Sequence, residues 1–508
     1  MAEVFLEATE VSKTFVGVKA LDNVDLTIGK GEIHCLIGEN GSGKSTLIKI
    51  IGGVYKADSG SVKIEGKELH EHGTQAIESI RAGVQIIYQD LSLFPNLTVA
   101  ENISTNQMLE SNQQTVNWKT IRDSAKKALD EIGEEIDLNE KVENLSMAKK
   151  QIVAISRALT QNAKLIIMDE ATSAITKEEV DHLFSIIIKL KNRGISILFV
   201  SHKLSEVFEI SENITILKDG RQIGVYPTSE MDNDKLVYLM TGRKLEYSPY
   251  IYNEELKDTV PLLSVENLNK ERQFHDINFN LQKGEILGIT GLIGSGRTEV
   301  AQALFGLNKP DSGTIRMRGK ALNFSRPEEA IRRGIALLPE DRHGQGLFEE
   351  QSIGDNIVIT VLKSLLVKLN LLSPSKRKDT GDRWIDKLAI KTPTGNNPVN
   401  SLSGGNQQRV VLAKWLATDP DIFILDGPTI GIDIGSKHTI HEIIRDLAVK
   451  GMGIIMISDE IQEILDNCNR VLLMSNGRII KEVEDSTTTT AEELFDIVTK
   501  SYDEELGA

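Results

Sequence analysis

The chain is built twice. The stretch GGVYKADSGSVKIEGKEL at 52–69 returns as FGLNKPDSGTIRMRGKAL at 305–322. Gly53 and Gly306, Asp58 and Asp311, and Gly66 and Gly319 are each 253 residues apart. Later in the copies, Ser146 and Ser403, Asp169 and Asp426, and Gly220 and Gly477 are each 257 apart. A near-constant offset over that distance marks two copies of one domain. The period is far too long for a solenoid, whose units run to about 20–50 residues. The 508 residues have room for two hydrophobic cores. The copies are expected at 3–245 and 262–499, with a charged linker at 246–261 that carries Pro249 and Pro261.

Inside each copy, short apolar runs alternate with stretches of helical period. EIHCLIG, KLIIMDE and ISILFVS are the plainest runs of the first copy. Runs apolar on both faces fit parallel strands covered on both sides, so the expected class is α/β with a mixed, largely parallel sheet core. A helical subdomain is expected at 91–160 and again at 345–415. Residues 119–132, KTIRDSAKKALDEI, already show a helical period there. The most apolar stretch, NIVITVLKSLLVKLNLL at 356–372, is broken by Lys363 and Lys368. It is expected as an amphipathic, partly buried helix, not as a membrane span. The start, MAEVFLEATEVSK, is acidic and has no signal-peptide pattern.

GENGSGKST at 38–46 satisfies the phosphate-loop pattern in full. It follows an apolar run and precedes a helix-like one, which is the context that pattern requires. Gly38, Glu39, Asn40, Gly41, Ser42, Gly43 and Thr46 form a loop whose N–H groups can face phosphate oxygens. Lys44 is expected to reach the β- and γ-phosphates, and Ser45 to hold Mg²⁺. LIIMDE at 165–170 is an apolar strand ending in two carboxylates. Asp169 suits the metal shell, and Glu170 suits the orientation or deprotonation of an attacking water. Net charge is -16, which argues against a general nucleic-acid binder. The two cysteines, Cys35 and Cys468, make neither a zinc site nor a disulfide framework.

With these motifs in order, the chain resembles the ATP-binding cassette (ABC) family. It is most similar to the tandem ATP-binding subunits of bacterial importers for ribose, galactose, xylose and related sugars. The resemblance covers nearly the whole chain. It rests on GENGSGKST, YQD with Gln89, the Leu-Ser signature, LIIMDEATSA, VSHK with His202, and LFPNLTVAENI. In the second half it rests on GLIGSGRTE, LLPEDR and LSGGNQQ. The resemblance implies two tandem ABC-type nucleotide-binding domains that close head to tail around ATP and Mg²⁺. Each site then takes a phosphate loop from one domain and a signature from the other. Gln89, with Ser45 and Asp169, would serve the metal, His202 would donate to the γ-phosphate, and Phe15 would stack on adenine.

Under that arrangement the first site is complete. Lys44, Ser45, Gln89, Asp169, Glu170 and His202 meet Ser403, Gly404, Gly405 and Asp433. The second site collects the losses. Its equivalents are Arg297 for the lysine, Glu340 for the glutamine, Gly427 for the glutamate and Asp459 for the histidine. Its signature is LSMAK at 145–149, and Thr176 stands where an aspartate is expected. Loss of a general base alone costs about 10²–10⁴ in rate. The expectation is one working site and one that binds nucleotide only weakly or statically and does not turn it over.

The resemblance further implies two membrane-spanning permease subunits as partners, a secreted or periplasmic solute-binding protein acting through them, no nucleic acid, and a place at the cytoplasmic face of the cell membrane. The helical inserts are expected to face the permease. Nucleosides or a furanose signal remain alternative solutes, and a soluble tandem cassette acting on ribosomes or nucleic acid an alternative class. Residues 484–490 are expected as a solvated loop and YDEELGA as a loose tail.

Overall fold

The computed structural model describes residues 3–15, 18–69, 76–110, 117–172, 175, 177–201, 203–242, 244, 250–256, 260–292, 294–322 and 326–506. It divides into two compact units, Met1–Leu245 and Glu246–Ala508.

The first unit has a six-stranded sheet in the order Arg221–Pro227, Asn213–Lys218, Ile33–Gly38, Ser196–Val200, Leu165–Asp169, Val84–Ile87. The last five run parallel, and Arg221–Pro227 returns antiparallel. Ile33–Gly38 and Ser196–Val200 are buried at every residue, as strands covered on both faces must be. The parallel order sets the carboxyl ends of Ile33–Gly38, Ser196–Val200, Leu165–Asp169 and Val84–Ile87 side by side. In open α/β sheets that edge is where ligands bind.

A second sheet of four antiparallel strands runs Val18–Gly29, Val4–Phe15, Ser59–Ile64, Lys67–Glu68. The helix Lys44–Ile51 is packed between the two sheets. Its Leu47, Ile48, Ile50 and Ile51 share one core with Leu6, Leu26 and Ile28 on one side and Leu36, Ile167 and Leu198 on the other. Burying side chains of this size stabilises by about 1.5–3 kcal/mol each. The loop at its N-terminus is thereby anchored by the core itself.

The helical part of this unit comprises Val99–Glu110, Trp118–Ile132 and Met147–Thr160. Trp118–Ile132 buries Ile121, Ala125, Ala128, Leu129 and Ile132, one face of a helix. The Asn117 side chain accepts hydrogen bonds from Lys119 and Thr120 N–H at its start, and Gly133 ends it with φ 78°.

The second unit repeats this topology. Its large sheet runs Ile335–Leu338, Ile422–Asp426, Gly453–Ile457, Ile286–Gly291, Arg470–Ser475, Arg478–Val483, with the last strand antiparallel. The small sheet runs Phe274–Leu281, Leu263–Lys270, Ser312–Met317, Lys320–Leu322. Its helical part includes Ile353–Val358, Pro374–Lys387 and Gly404–Leu416. The expected fold class holds in both units. Tyr250 fastens the chain ahead of the second unit. Its hydroxyl donates to Gly284 O at 2.8 Å, and its carbonyl accepts from Asn469 Nδ2 at 3.0 Å.

Two expectations are corrected. Residues 356–372 are not one helix. The α-helix stops at Val358, continues as a 3-10 helix over Ile359–Leu365, and gives way to a turn closed by a bridge between Leu366 and Leu372. Ile357, Val358, Ile359, Thr360 and Val361 form a β-branched run that disfavours continued α-helix. The apolar residues beyond it lack a helical period, and Leu369 and Asn370 turn the chain with positive φ. The expectation of YDEELGA as a loose tail is also corrected: the helix Ala491–Leu506 runs through residues 502–506, and residues 507 and 508 lie outside the described residues. Leu494 and Val498, four apart, are buried, and Thr490 and Glu493 exchange reciprocal capping bonds. Among the described residues no helix is long and apolar enough to cross a membrane.

Candidate functional site

In the first unit the loop 38–46 leaves the strand Ile33–Gly38 and enters the helix Lys44–Ile51. Two of its glycines are required by geometry. A Cβ on Gly38 would lie 2.2 Å from Leu217 O, and one on Gly43, at φ 105°, would lie 2.6 Å from Ala20 O. Glu39 N–H is followed by a tight turn in which Ser42 N donates to Glu39 O at 3.1 Å. Asn40, Gly41 and Ser45 are exposed, Glu39 and Thr46 are half-buried, and Ser42 is buried. The Lys44 side chain is 8% exposed and folds across the loop. Its Nζ donates to Gly38 O at 2.7 Å and Glu39 O at 3.0 Å. The ammonium is therefore held where phosphate oxygens would approach the loop.

Asp169 ends its strand and Glu170 begins the turn. Glu170 has φ 53°, in the left-handed region. Its N–H donates to Val200 O at 2.9 Å, which ties this turn to the neighbouring strand. Burial pushes the Asp169 carboxyl up, and the adjacent Glu170 charge adds to this, against Lys44 and Lys49. Gln89 is exposed in the turn after Val84–Ile87. The hydroxyl of Ser45, the carboxylate of Asp169 and the amide of Gln89 are hard oxygen donors, a set that fits Mg²⁺. Phe15 ends its strand 36% exposed, edge-on to Tyr55 with ring centroids 5.2 Å apart. Lys13 Nζ lies 5.4 Å from its centroid. His202 and Thr176 lie outside the described residues.

In the second unit Ser403 caps the helix Gly404–Leu416. Its Oγ accepts from Asn406 Nδ2 at 2.9 Å. A Cβ on Gly405 would come within 2.1 Å of Ser436 Oγ. Asp433 caps the helix Ile434–Val449 and accepts from Ser436 N at 2.8 Å and Ser436 Oγ at 3.0 Å. Ser436 thus braces Gly405 against Asp433. Arg342 NH1 donates to Gly404 O at 3.3 Å and supports the same turn. In the first unit Ser146 caps the equivalent helix and accepts from Lys149 N at 3.4 Å.

The phosphate loop of the second unit faces a cavity of about 320 Å³ lined by Arg297, Thr298, Glu340, Asp426, Gly427 and Asp459, among others. The four substitutions carried by the second unit itself, Arg297, Glu340, Gly427 and Asp459, converge there. Arg297 NH1 donates to Ser458 O at 2.8 Å. Burial lowers the Arg297 pKa, opposed by the charges of Asp459, Asp426 and Glu340. Asp426 is pushed up to about 6 by burial and by Glu340, against the Thr298 hydroxyl and Arg297. Gly427 has φ 59°, close to the value at Glu170.

Four groups escaped the motif reading. Buried Glu206 accepts from Thr172 Oγ1 at 2.6 Å and from Ser201 Oγ at 2.7 Å. Gln151, at the end of LSMAKKQ, donates from Nε2 to Ala171 O, next to Glu170. Gln408, at the end of LSGGNQQ, donates to Pro428 O at 2.8 Å. Thr429 Oγ1 and Ser458 Oγ donate to Glu463 in the second unit, the latter at 2.6 Å. Burial pushes the Glu463 carboxyl up, but His441, Lys437 and Ser458 outweigh it and hold it at about 2. The 257-residue offset is the signal that was available. Thr172 and Thr429, Ser201 and Ser458, Glu206 and Glu463, and Gln151 and Gln408 all obey it.

The family model described as ABC transporter matches residues 21–173 and 274–430. The galactose/methyl galactoside import ATP-binding protein MglA of Salmonella typhimurium is 41% identical over 495 residues, 97% of each chain. Its counterpart in Escherichia coli strain K12 is 40% identical over 495 residues, again 97% of each. A solved structure of an ATP-binding cassette of an ABC transporter aligns with 28% identity and a TM-score of 0.43, covering 46% of this chain and 98% of that one.

Proposed function

The chain belongs to the ABC transporter family, and from that membership we propose that it is the ATP-hydrolysing subunit energising import of a galactose-class sugar. The overlap with the galactoside import proteins along nearly all of both chains supports the sugar class. The partners are two permease subunits, reached indirectly by a secreted or periplasmic solute-binding protein. The chain works peripherally, at the cytoplasmic face of the membrane.

Hydrolysis is assigned to one composite site: the phosphate loop of the first unit with the signature of the second. Lys44 binds the β- and γ-phosphates, and the loop N–H groups hold the phosphate chain. Glu170 orients and deprotonates the attacking water, while His202 and the Ser403–Gly405 turn stabilise charge developing on the γ-phosphate. Mg²⁺, held by Ser45, Asp169 and Gln89, supplies charge neutralisation when bound. Phe15 stacks on the adenine. The other site, with Arg297, Glu340, Gly427 and Asp459, holds nucleotide without turnover. Arg297 keeps the charge of a lysine but not its point geometry.

The observation that carries this reading is the asymmetry at the two strand ends. Asp169 is followed by a carboxylate, whereas Asp426 is followed by Gly427, which has nothing to act on water. Replacement Glu170→Gln is expected to abolish steady-state ATP hydrolysis in the assembled transporter. Substantial residual turnover would sink the one-site assignment.

A further inference from the structure

Glu206 is 5% exposed and sits in no recognised nucleotide motif. A carboxylate is costly to bury unless its oxygens are fully engaged. Here Oε2 accepts both the Thr172 hydroxyl, 2.6 Å, and the Ser201 hydroxyl, 2.7 Å. Oε1 pairs with Lys203 Nζ at 3.4 Å, and that ammonium also donates to Thr172 O at 3.2 Å. Lys203 N–H donates to Ser201 Oγ at 3.0 Å. One buried carboxylate therefore joins two turns. Thr172 is two residues beyond Glu170, and Ser201 follows Val200, whose carbonyl receives the Glu170 N–H.

We propose that Glu206 is a positioning residue for Glu170, holding the left-handed turn that aims its carboxylate at the reacting phosphate. Glu170 stands at φ 53°, a conformation that non-glycine residues keep only where the surroundings fix it. The three-way tie of Glu206, Thr172 and Lys203 supplies that fixation. Gln151, bonded to Ala171 O, clamps the same turn from the helical part.

The second unit provides the contrast. Glu463 takes the same two hydroxyls, from Thr429 and Ser458, but the position of Lys203 is occupied by Glu460 and the extra partner is His441 Nε2 at 2.8 Å. The residue this network would hold there is Gly427, which needs no bracing and carries no side chain to aim. The bonding pattern is shared, so a purely structural contribution is shared as well. Only the first unit adds a consequence for turnover.

This inference rests on the assignment of Glu170 as the group acting on water. The test uses the full chain assembled with its permease, and measures kcat, KM for ATP and thermal unfolding. Glu206→Gln keeps shape but turns an amide N–H toward Lys203. A misplacement of about 1 Å can cost as much as about 10²-fold. The expected result is a fall in kcat of about 10–100-fold with KM for ATP changed less than about threefold. Thr172→Val should lower kcat in the same sense, and Thr172→Ser, which keeps the hydroxyl, should restore it. Glu463→Gln should leave kcat within about twofold, so that it controls for shared loss of stability. Equal losses of kcat for Glu206→Gln and Glu463→Gln would overturn the proposal, as would an effect on KM alone or no effect. If Glu206→Gln fails to assemble, the Thr172→Val and Thr172→Ser pair decides by the same criterion. Abolished turnover in Glu170→Gln with unaltered kcat in Glu206→Gln would sink this inference alone; retained turnover in Glu170→Gln would sink the site assignment beneath it.

Discussion

Exchanging the residues that follow the two strand-end aspartates separates chemistry from conformation. Glu170 and Gly427 have φ of 53° and 59°, so both occupy the left-handed region. For a residue with a Cβ that region costs about 1–2 kcal/mol. Glycine escapes this cost but gives up about 0.5–1 kcal/mol of chain entropy. Glu170→Gly is therefore expected to leave the first unit unchanged or stabilised by up to about 1 kcal/mol, a rise in Tm of about 2–4 °C at most for a domain of this size. The same change removes the group proposed to act on water and is expected to lower turnover by about 10²–10⁴. Gly427→Glu runs the other way. A Cβ there meets Ile430 Cδ1 at 2.3 Å, so that side chain must leave its rotamer. The new carboxylate also joins Asp426 and Glu340 in one cavity. The sum is a loss of about 1–3 kcal/mol from backbone and rotamer strain, with no gain in turnover, because Arg297, Glu340 and Asp459 remain. Differential scanning of the full chain reads the first effect, and ATP hydrolysis in the assembled transporter reads the second. A Glu170→Gly variant that unfolds several degrees early would refute the conformational argument. A Gly427→Glu variant with nearly doubled turnover would refute the account of the second site.

Three further outcomes are expected. Phe15→Ala should raise KM for ATP by about tenfold with little change in kcat, since stacking on an aromatic ring contributes about 1–3 kcal/mol per base; steady-state kinetics with ATP in assembled transporter checks it. Gln151→Leu should leave the buried Ala171 carbonyl without its donor and cost about 1–3 kcal/mol, visible as earlier thermal unfolding. Lys414 is buried, which lowers its pKa from the ordinary 10.5 to about 8. The unfolded chain then binds more protons between those values, so this group adds stability as pH rises from about 8 to 10.5, by about 3 kcal/mol in full. Chemical denaturation across that pH range should show the rise, and Lys414→Met should flatten it.

The duplication made most of the fold legible. A repeated order of apolar runs fixes a repeated sheet, and GENGSGKST places the loop between the strand Ile33–Gly38 and the helix Lys44–Ile51. The helix 118–132 was visible because Ile121, Ala125, Ala128 and Ile132 keep one period. Residues 356–372 misled because hydrophobicity without periodicity does not specify a helix, and a β-branched run works against one. YDEELGA reads as loose only apart from the helix it ends: the buried residues that anchor that helix, Leu494 and Val498, lie before it. Glu206 was hidden for another reason. A glutamate on a helix is ordinary, and only packing turns its carboxylate inward against Thr172 and Ser201.

Gly427 looks, in the sequence alone, like a missing base. The backbone gives it a second meaning. The turn after the strand-end aspartate is left-handed in both units, so glycine is the residue its conformation favours. Glutamate at position 170 is the exception, and a network of Glu206, Lys203 and Gln151 surrounds the turn that holds it. At position 427, where no carboxylate stands, the residue matches the conformational preference of the turn. In the second unit Glu463 joins the turns of Thr429 and Ser458 in the same way. That unit carries glycine where the first unit carries the strained Glu170, whose conformational cost the proposed chemistry would offset. The two units thus differ by what each residue contributes: groups that join the two turns stand in both units, and the group proposed to act on water stands in one.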